Sequence, residues 1–245
     1  MTRLTRIALF AAALATVAPR ESVIAQSAKP TVAIMYFNNN VFTKDAKDYD
    51  GLSKGVPDFL ITEMSANQGI RVIERDQVQK LIDEQKLVGA GQVDRETAVK
   101  VGKLLGAQHM IFGGFMADPK GSFRIDARAV NVETGAIEYV DRVQDKSDNV
   151  MELITQLAGR LNAGLKLPAV PTRTGDASPA SGAQQAGAPS AAKLPMRYAV
   201  MYGKALDMAD KGDKTQAVEL FGAVLKEFPD YTPARSGMAK VKPGS

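Results

Sequence analysis

IRVIERDQVQKLIDEQKLVGAGQVD, residues 70–94, passes from a short apolar strand into an amphipathic helix and then into a glycine-relieved turn. Arg71, Glu74 and Arg75 punctuate the strand formed around Ile70, Val72 and Ile73. Asp76, with Gln79 three residues on, has the form of a capping box in which Asp stands in for Ser or Thr. Val78, Leu81 and Ile82 fall on one helical face, and that face requires a sheet to lie on. Gly89-Ala90-Gly91 then breaks the chain.

Upstream, Thr31 to Phe37 is a continuous apolar run of β-branched and aromatic residues, the pattern of a buried strand. Asn38-Asn39-Asn40 and the segment Lys44 to Gly51 read as a polar loop. Its acids do not alternate as in a calcium-binding loop, because lysines interrupt them. From Leu52 onward, Leu52, Val56, Phe59, Leu60 and Met64 recur at helical spacing toward Asn67-Gln68-Gly69, where Gly supplies a stop. Pro57 implies either that regular helix begins near Val56 or that the first turn is kinked. Strand, helix and strand over 31–73 form a right-handed parallel crossover.

Downstream, Asp94 with Thr97 caps a helix bearing Ala98, Val101, Leu104 and Leu105, stopped by Gly106. Gln108 to Ala117 reads as a strand. Phe123, Ile125, Ala127 and Ala129 alternate with Arg124, Asp126 and Arg128. The apolar phase then slips at Val130 and Val132, which predicts a bulge. Glu133-Thr134-Gly135 turns this strand into Ala136 to Val143 as an antiparallel hairpin. Asp148 caps a helix in which Val150, Leu153, Ile154, Leu157, Leu161 and Leu165 form one face. The order is β-α-β-α-α-β-β-β-α, an α/β chain built as an α+β mixed sheet of about five strands flanked by helices, over residues 29–167.

Residues 168–195 are rich in Pro, Ala, Gly, Ser and Gln and poor in bulky apolar side chains, the composition of a flexible linker. Helical periodicity resumes over 196–242 as two antiparallel helices around Lys211-Gly212-Asp213, with a stub at 232–241. Gly212, Ala217, Phe221 and Pro229 stand at the spacings of a tetratricopeptide (TPR) repeat, while Ala205, Met208 and Val224 replace its usual Gly, Tyr and Ala. A single such hairpin is too short to stand alone, so it either packs on something or is marginal.

Composition bounds the rest. The chain has 245 residues, 45% hydrophobic and 24% charged, enough to bury a core. Arg3 and Arg6 precede the apolar run Ile7 to Ala18, with small residues around Ala25. This is the plan of a signal peptide over 1–25, with cleavage after Ala25 or Ala28. The run falls short of the ~20 residues of a membrane span. Taking Arg3, Arg6, Arg20 and Glu21 from 31 basic and 27 acidic residues leaves 28 against 26. With 6% aromatics and no basic stripe, nucleic acid is not an expected partner. The absence of cysteine rules out disulfides and an N-terminal lipid on Cys.

No catalytic, cofactor-binding or metal-ligating set is expected, and no cofactor. His109, the one histidine, lies in a strand, where packing is the ordinary role. Gly89-Ala90-Gly91 and Gly113-Gly114 lack the spacings of a phosphate cradle. Asp83 and Glu84 point to different faces of their helix and read as solvated.

The succession VAIMYFNNN, GLSKGVPDFLITEMS, VIERDQVQKLIDEQKL, ETAVKVGKLLGAQHMIFGGF and RIDARAVNVETGAIEYV resembles the CsgG family, the curli production assembly/transport component domain, over about residues 31–166. The pieces carrying it are Val72 to Arg75 with Glu84 to Leu87, Gly102 to Ala107, Asp126 to Arg128 and Val132 to Gly135. The resemblance implies an α/β fold like that of the N-terminal part of TolB. It also implies an exported, periplasmic, non-enzymatic role in binding or assembly, with envelope proteins or a second copy of the chain as partners. The alternatives it leaves are a subunit of a curli-type outer-membrane secretion channel, or a periplasmic activator of a cell-wall synthase. Charges at Arg124, Asp126, Arg128, Glu138 and Arg142 and the lack of aromatic girdles disfavour membrane insertion of the 123–143 hairpin.

Overall fold

The computed structural model describes residues 28–86, 93–118, 121–169 and 194–242. The leader over 1–25, the Gly89-Ala90-Gly91 break and nearly all of the 168–195 linker lie outside the described residues.

Five strands form one mixed sheet: β1 (Thr31–Asn39), β2 (Arg71–Val72), β3 (His109–Ala117), β4 (Ser122–Asn131) and β5 (Ile137–Lys146). Their order is β2-β1-β3-β4-β5, with β1 parallel to both of its neighbours and β3, β4 and β5 antiparallel. Helices α1 (Leu52–Ser65) and α4 (Val150–Gly164) cover one face, and α2 (Arg75–Gln85) and α3 (Arg95–Leu105) the other. The expected α/β order is therefore present element by element.

The apolar run of β1 is explained by burial on both faces. Val32, Ile34 and Phe37 join the α1 side, while Ala33 and Met35 join the α2–α3 side. A shift in register between Ile34 and Phe37 keeps those two residues on one face although they are three apart. A second shift, at Ala129/Val130, comes from an extra residue on β5: Ala129 pairs with Tyr139 and Val130 with Ile137, which leaves Glu138 unpaired in the ladder. Phe123, Ile125, Ala127 and Ala129 face α1 and α4, and Val130 and Val132 face α2 and α3. A bulge is therefore present where the phase slips, but it lies on β5; β4 keeps its ordinary alternation, and only the side on which its apolar residues fall changes at Val130.

Local caps divide into those that form and those that do not. The Asp94 carboxylate accepts from the Thr97 amide at 2.8 Å, and Gly106 ends α3 in the left-handed region at φ +64°. The Asp76–Gln79 capping box does not form. Helix α2 begins two residues earlier than that cap would set, at Arg75, behind Glu74, whose side chain makes no capping bond. Asp76 is taken up instead by Arg75 and Lys240, and Gln79 donates to Asp83.

The α1 stop comes from Asn67 rather than Gly69. The buried Asn67 side chain accepts from the Gly69 amide at 2.9 Å and donates to the Pro168 carbonyl at 2.8 Å. Asp148 is no cap either, because a short 3-10 turn over Ser147–Asn149 precedes α4. The strand at 70–73 shrinks to two residues. Helix α1 starts at Leu52 with Pro57 inside it, so the first of the two possibilities for Pro57 is not realised.

Beyond residue 194 come α5 (Met196–Asp210), α6 (Lys214–Glu227) and α7 (Thr232–Val241). Gly212 makes the turn at φ +80°, and Ala217 and Phe221 are fully buried. This unit packs on α1, and its apolar residues merge with those under the sheet into one cluster. The close approach is set by two glycines. A Cβ on Gly203 would stand 1.9 Å from the Gly51 carbonyl oxygen, and one on Gly51 would stand 2.4 Å from that of Val200. Tyr202 is the centre of the joint, stacked on Phe59 of α1 at 5.4 Å and set edge-on to Tyr231 at 5.5 Å.

Candidate functional site

Around that joint the chain gathers charges from four helices. Lys54 and Asp58 sit one turn apart on α1, a spacing that puts them on the same side. Arg75 and Asp76 open α2. Tyr202, Asp207 and Asp210 come from α5, and Lys240 comes from α7.

Arg75 holds the arrangement together. Its guanidinium donates to both oxygens of Asp210 at 2.8 and 3.1 Å, to Asp76 at 3.0 Å, and lies 3.6 Å from Asp58. Although 95% of its surface is buried, its terminal nitrogens grip a carboxylate in the bidentate geometry arginine serves best, while Nε, 3.6 Å from Asp58, makes no hydrogen bond. Lys54 reaches Asp210 at 2.7 Å and Asp207 at 3.0 Å, Lys240 reaches Asp76 at 2.6 Å, and the Tyr202 hydroxyl donates to Asp58 at 2.6 Å. Lys211 also pairs with Asp207, so four cations face four carboxylates.

The electrostatics follow from burial and pairing. Burial raises the Asp58 carboxyl above its ordinary value, against the opposing pull of the Tyr202 hydroxyl and of Arg75. Burial also opposes the ionised forms of Asp76 and Asp207, but Lys240 with Arg75, and Lys211 with Lys54, outweigh it and lower both. For Arg75, desolvation is overcome by Asp210, Asp58 and Asp76, which hold it protonated. Burial lifts the Tyr202 phenol well above its usual range, and Asp58 adds to the shift.

Beside this network α1, α2, α5, α6 and α7 enclose a cleft of about 490 Å³. Its walls include the apolar Ile61, Leu206 and Phe221 and the hydroxyls of Thr62, Thr232 and Ser236. The acids here converge on the protein's own arginine. Among the described residues no group of three His, Asp or Glu is placed to hold a metal ion. What the arrangement can do chemically is clamp: it joins the C-terminal helices to the sheet domain through desolvated, paired charges, and it leaves an apolar-walled opening at the seam.

His109 takes no part in it. It opens β3, with Nδ1 2.5 Å from the Glu138 carboxylate of β5, and lines a second opening of about 510 Å³ with Lys103, Gln108, Asn131 and Glu133. Asp83 and Glu84 are surface residues bonded to Gln79 and Lys80 of their own helix. On the β4–β5 hairpin, Asp126 accepts from Arg124 at 2.7 Å and from Arg142 at 2.8 Å, so three of the charges read from the sequence form an ion-paired face, while Glu138 pairs with His109.

Sequence reasoning missed Arg75, Asp58, Asp210 and Lys240 as a set. One signal was there. Lys54 and Asp58 interrupt the apolar stretch KGVPDFLI of α1, residues 54–61, and a charge embedded in a buried face demands a partner.

No curated protein matches the chain. Among solved structures, the LpoB C-terminal domain from Salmonella enterica aligns at 12% identity and a TM-score of 0.35, covering 50% of this chain and 87% of its own. Lipoprotein GNA1162 from Neisseria meningitidis aligns at 11% and 0.37, covering 54% and 95%. The PelC dodecamer from Paraburkholderia phytofirmans aligns at 10% and 0.36, covering 58% and 90%. The sequence match ends before β4, and over residues 20–121 the chain is similar to the family described as Curli production assembly/transport component CsgG.

Proposed function

We propose that this chain is an exported, non-enzymatic protein of the cell envelope. A signal peptide over 1–25 directs it to the periplasm. A CsgG-like binding and assembly domain over 29–167 carries, through the 168–195 linker, a TPR-like hairpin over 196–242. Its partners are envelope proteins.

The observation that carries this reading is the seam between α1–α2 and α5–α7. A tether of this length keeps the hairpin at high local concentration beside the domain, so a modest docking interface is enough to seat it. The two units then offer one composite surface with a cleft, and the chemistry lining that cleft binds side chains and breaks no bonds. The ion-paired outer face of the β4–β5 hairpin weighs against placing it in lipid, and among the described residues no helix is long and apolar enough to cross a membrane.

A photo-activated cross-linker placed at Thr62 or Ser236, on opposite walls of the cleft, tests this in intact cells. The expected captures are envelope proteins, and they disappear in a Gly203→Ala background that forces the hairpin off α1. Capture of cytoplasmic proteins alone, or of none from either wall, would overturn the reading.

A further inference from the structure

The outer half of the sheet is covered by α4 on one face, toward which Tyr139, Asp141 and Val143 of β5 turn. Val140, Arg142 and Gln144 alternate with them and are exposed on the opposite face. The ladder places three residues of β4 beside them on that open face. Arg128 stands opposite Val140, Asp126 opposite Arg142, and Arg124 opposite Gln144. The extra residue at Glu138 lies outside these rows, so their alternation is regular.

This face is basic. Asp126 takes Nε of Arg124 at 2.7 Å and Nε of Arg142 at 2.8 Å, which pins both side chains over the sheet and leaves their terminal nitrogens without a bond among the described residues. Arg128 is exposed and has no ion pair among the described residues. Three guanidinium groups therefore stand against one carboxylate, a balance of +2. Asp118 and Lys146, both at the Ser122 end, are of opposite sign and leave that balance unchanged.

Apolar groups bound the patch. Val140, 60% exposed, lies beside Arg128. At the other end Phe42, 87% exposed, joins Met116, Arg124 and Gln144 around a hollow of about 320 Å³. From the Arg128 row to the Arg124 row is four residues of β4, or ~13 Å at about 3.3 Å per residue. An extended peptide covers that span with four or so residues of its own.

Charge makes the occupant anionic, and shape makes it a peptide. Guanidinium forks fixed by a shared carboxylate match further carboxylates, and the hollow has room for one bulky apolar side chain. An anionic lipid surface would meet the arginines and leave the hollow unfilled. We propose that this open face docks an acidic segment of a protein partner, extended along β4. Its carboxylates rest on Arg128, Arg142 and Arg124, and an apolar residue at one end fills the hollow beside Phe42.

Fluorescence anisotropy with the purified chain tests this, using as probe a peptide of four glutamates followed by a leucine, labelled with fluorescein at the glutamate end. Wild type binds it saturably and does not bind the same peptide with lysine in place of glutamate. Arg128→Glu, which leaves both bonds to Asp126 in place, weakens binding at least about tenfold, and Phe42→Ala weakens it several-fold. Lys226→Glu, on α6 and away from this face, makes the same change in net charge and leaves the affinity within about twofold. Circular dichroism verifies the fold of each variant.

No saturable binding by wild type, equal weakening by Arg128→Glu and Lys226→Glu, or unchanged binding by Phe42→Ala would each overturn the proposal. Arg128-dependent sedimentation with phosphatidylglycerol vesicles in the absence of peptide binding would overturn it as well, and would give the face to an anionic lipid surface instead.

Discussion

Replacing Arg75 with methionine keeps the apolar length of the side chain and removes the charge on which three carboxylates converge. Its consequences can be worked from the partners left behind. Asp210 keeps Lys54 at 2.7 Å and Asp76 keeps Lys240 at 2.6 Å. Asp58 is left with the Tyr202 hydroxyl alone, on a side chain 19% exposed. Breaking a fully buried pair by removing one partner costs about 3–5 kcal/mol. Here one carboxylate is stranded rather than three, and it is not dry, so the expected loss is about 2 kcal/mol. That is roughly a 30-fold fall in the folding equilibrium constant.

Urea titration at pH 7 reads the loss as a lower midpoint with a similar slope. Its pH dependence supplies a second signature. In the wild type Asp58 is already raised by burial, and Arg75 is one of the influences holding it down. Without Arg75 the carboxyl rises further. An acid whose folded-state pKa lies above its unfolded value binds its proton more tightly when folded, so folding regains stability as pH falls through the raised value. The deficit of Arg75→Met relative to wild type therefore narrows between pH 7 and about pH 4.5. A loss below about 0.5 kcal/mol at pH 7, or a deficit that does not change with pH, would refute the assignment of Arg75 as the ion that compensates Asp58.

Two further outcomes follow from the same seam. Gly203→Ala, whose added Cβ would stand 1.9 Å from the carbonyl oxygen of Gly51, just ahead of α1, is expected to lose about 1–3 kcal/mol and to release α5–α7 as an early fragment in limited proteolysis; unchanged cleavage would count against the glycine contact. Asp76 and Asp207 are held below their ordinary value of 3.8, so their contribution is complete above that pH and is lost as pH falls through their lower folded values. Amide hydrogen exchange in α5 and α7 of the wild type should accelerate below about pH 3.8, with Asp58 acting in the opposite sense; constant exchange rates would contradict the pairing with Lys240 and Lys54.

Much of the fold was legible because its determinants are close together along the chain. The double burial of β1 shows in Thr31 to Phe37, the change of buried side along β4 in the step from Ala129 to Val130, and the start and stop of α3 in Asp94, Thr97 and Gly106. In each case a period or a cap spans only a few residues, and the hydrogen bonds involved are made locally. The failures share a cause as well. Asp76 and Gln79 have the spacing of a capping box, but Asp76 has a stronger offer from Lys240, 164 positions away. Asn67 displaces Gly69 at the end of α1 because its amide finds Asn162 and Pro168 on a distant segment.

By itself, then, the sequence determined the order of elements, the two-sided sheet and the helical character of residues 196–242, since side-chain period and backbone sterics act over single turns and strands. Only the tertiary structure decided that those C-terminal helices sit on α1, and that residues 54, 58, 75, 76, 207, 210 and 240 form one network. That decision rests on shape and desolvation between surfaces far apart in the chain. Gly51 and Gly203 let two helices meet at backbone distance, and once water is excluded from the seam, each buried charge must take its partner from whichever helix the packing brings near.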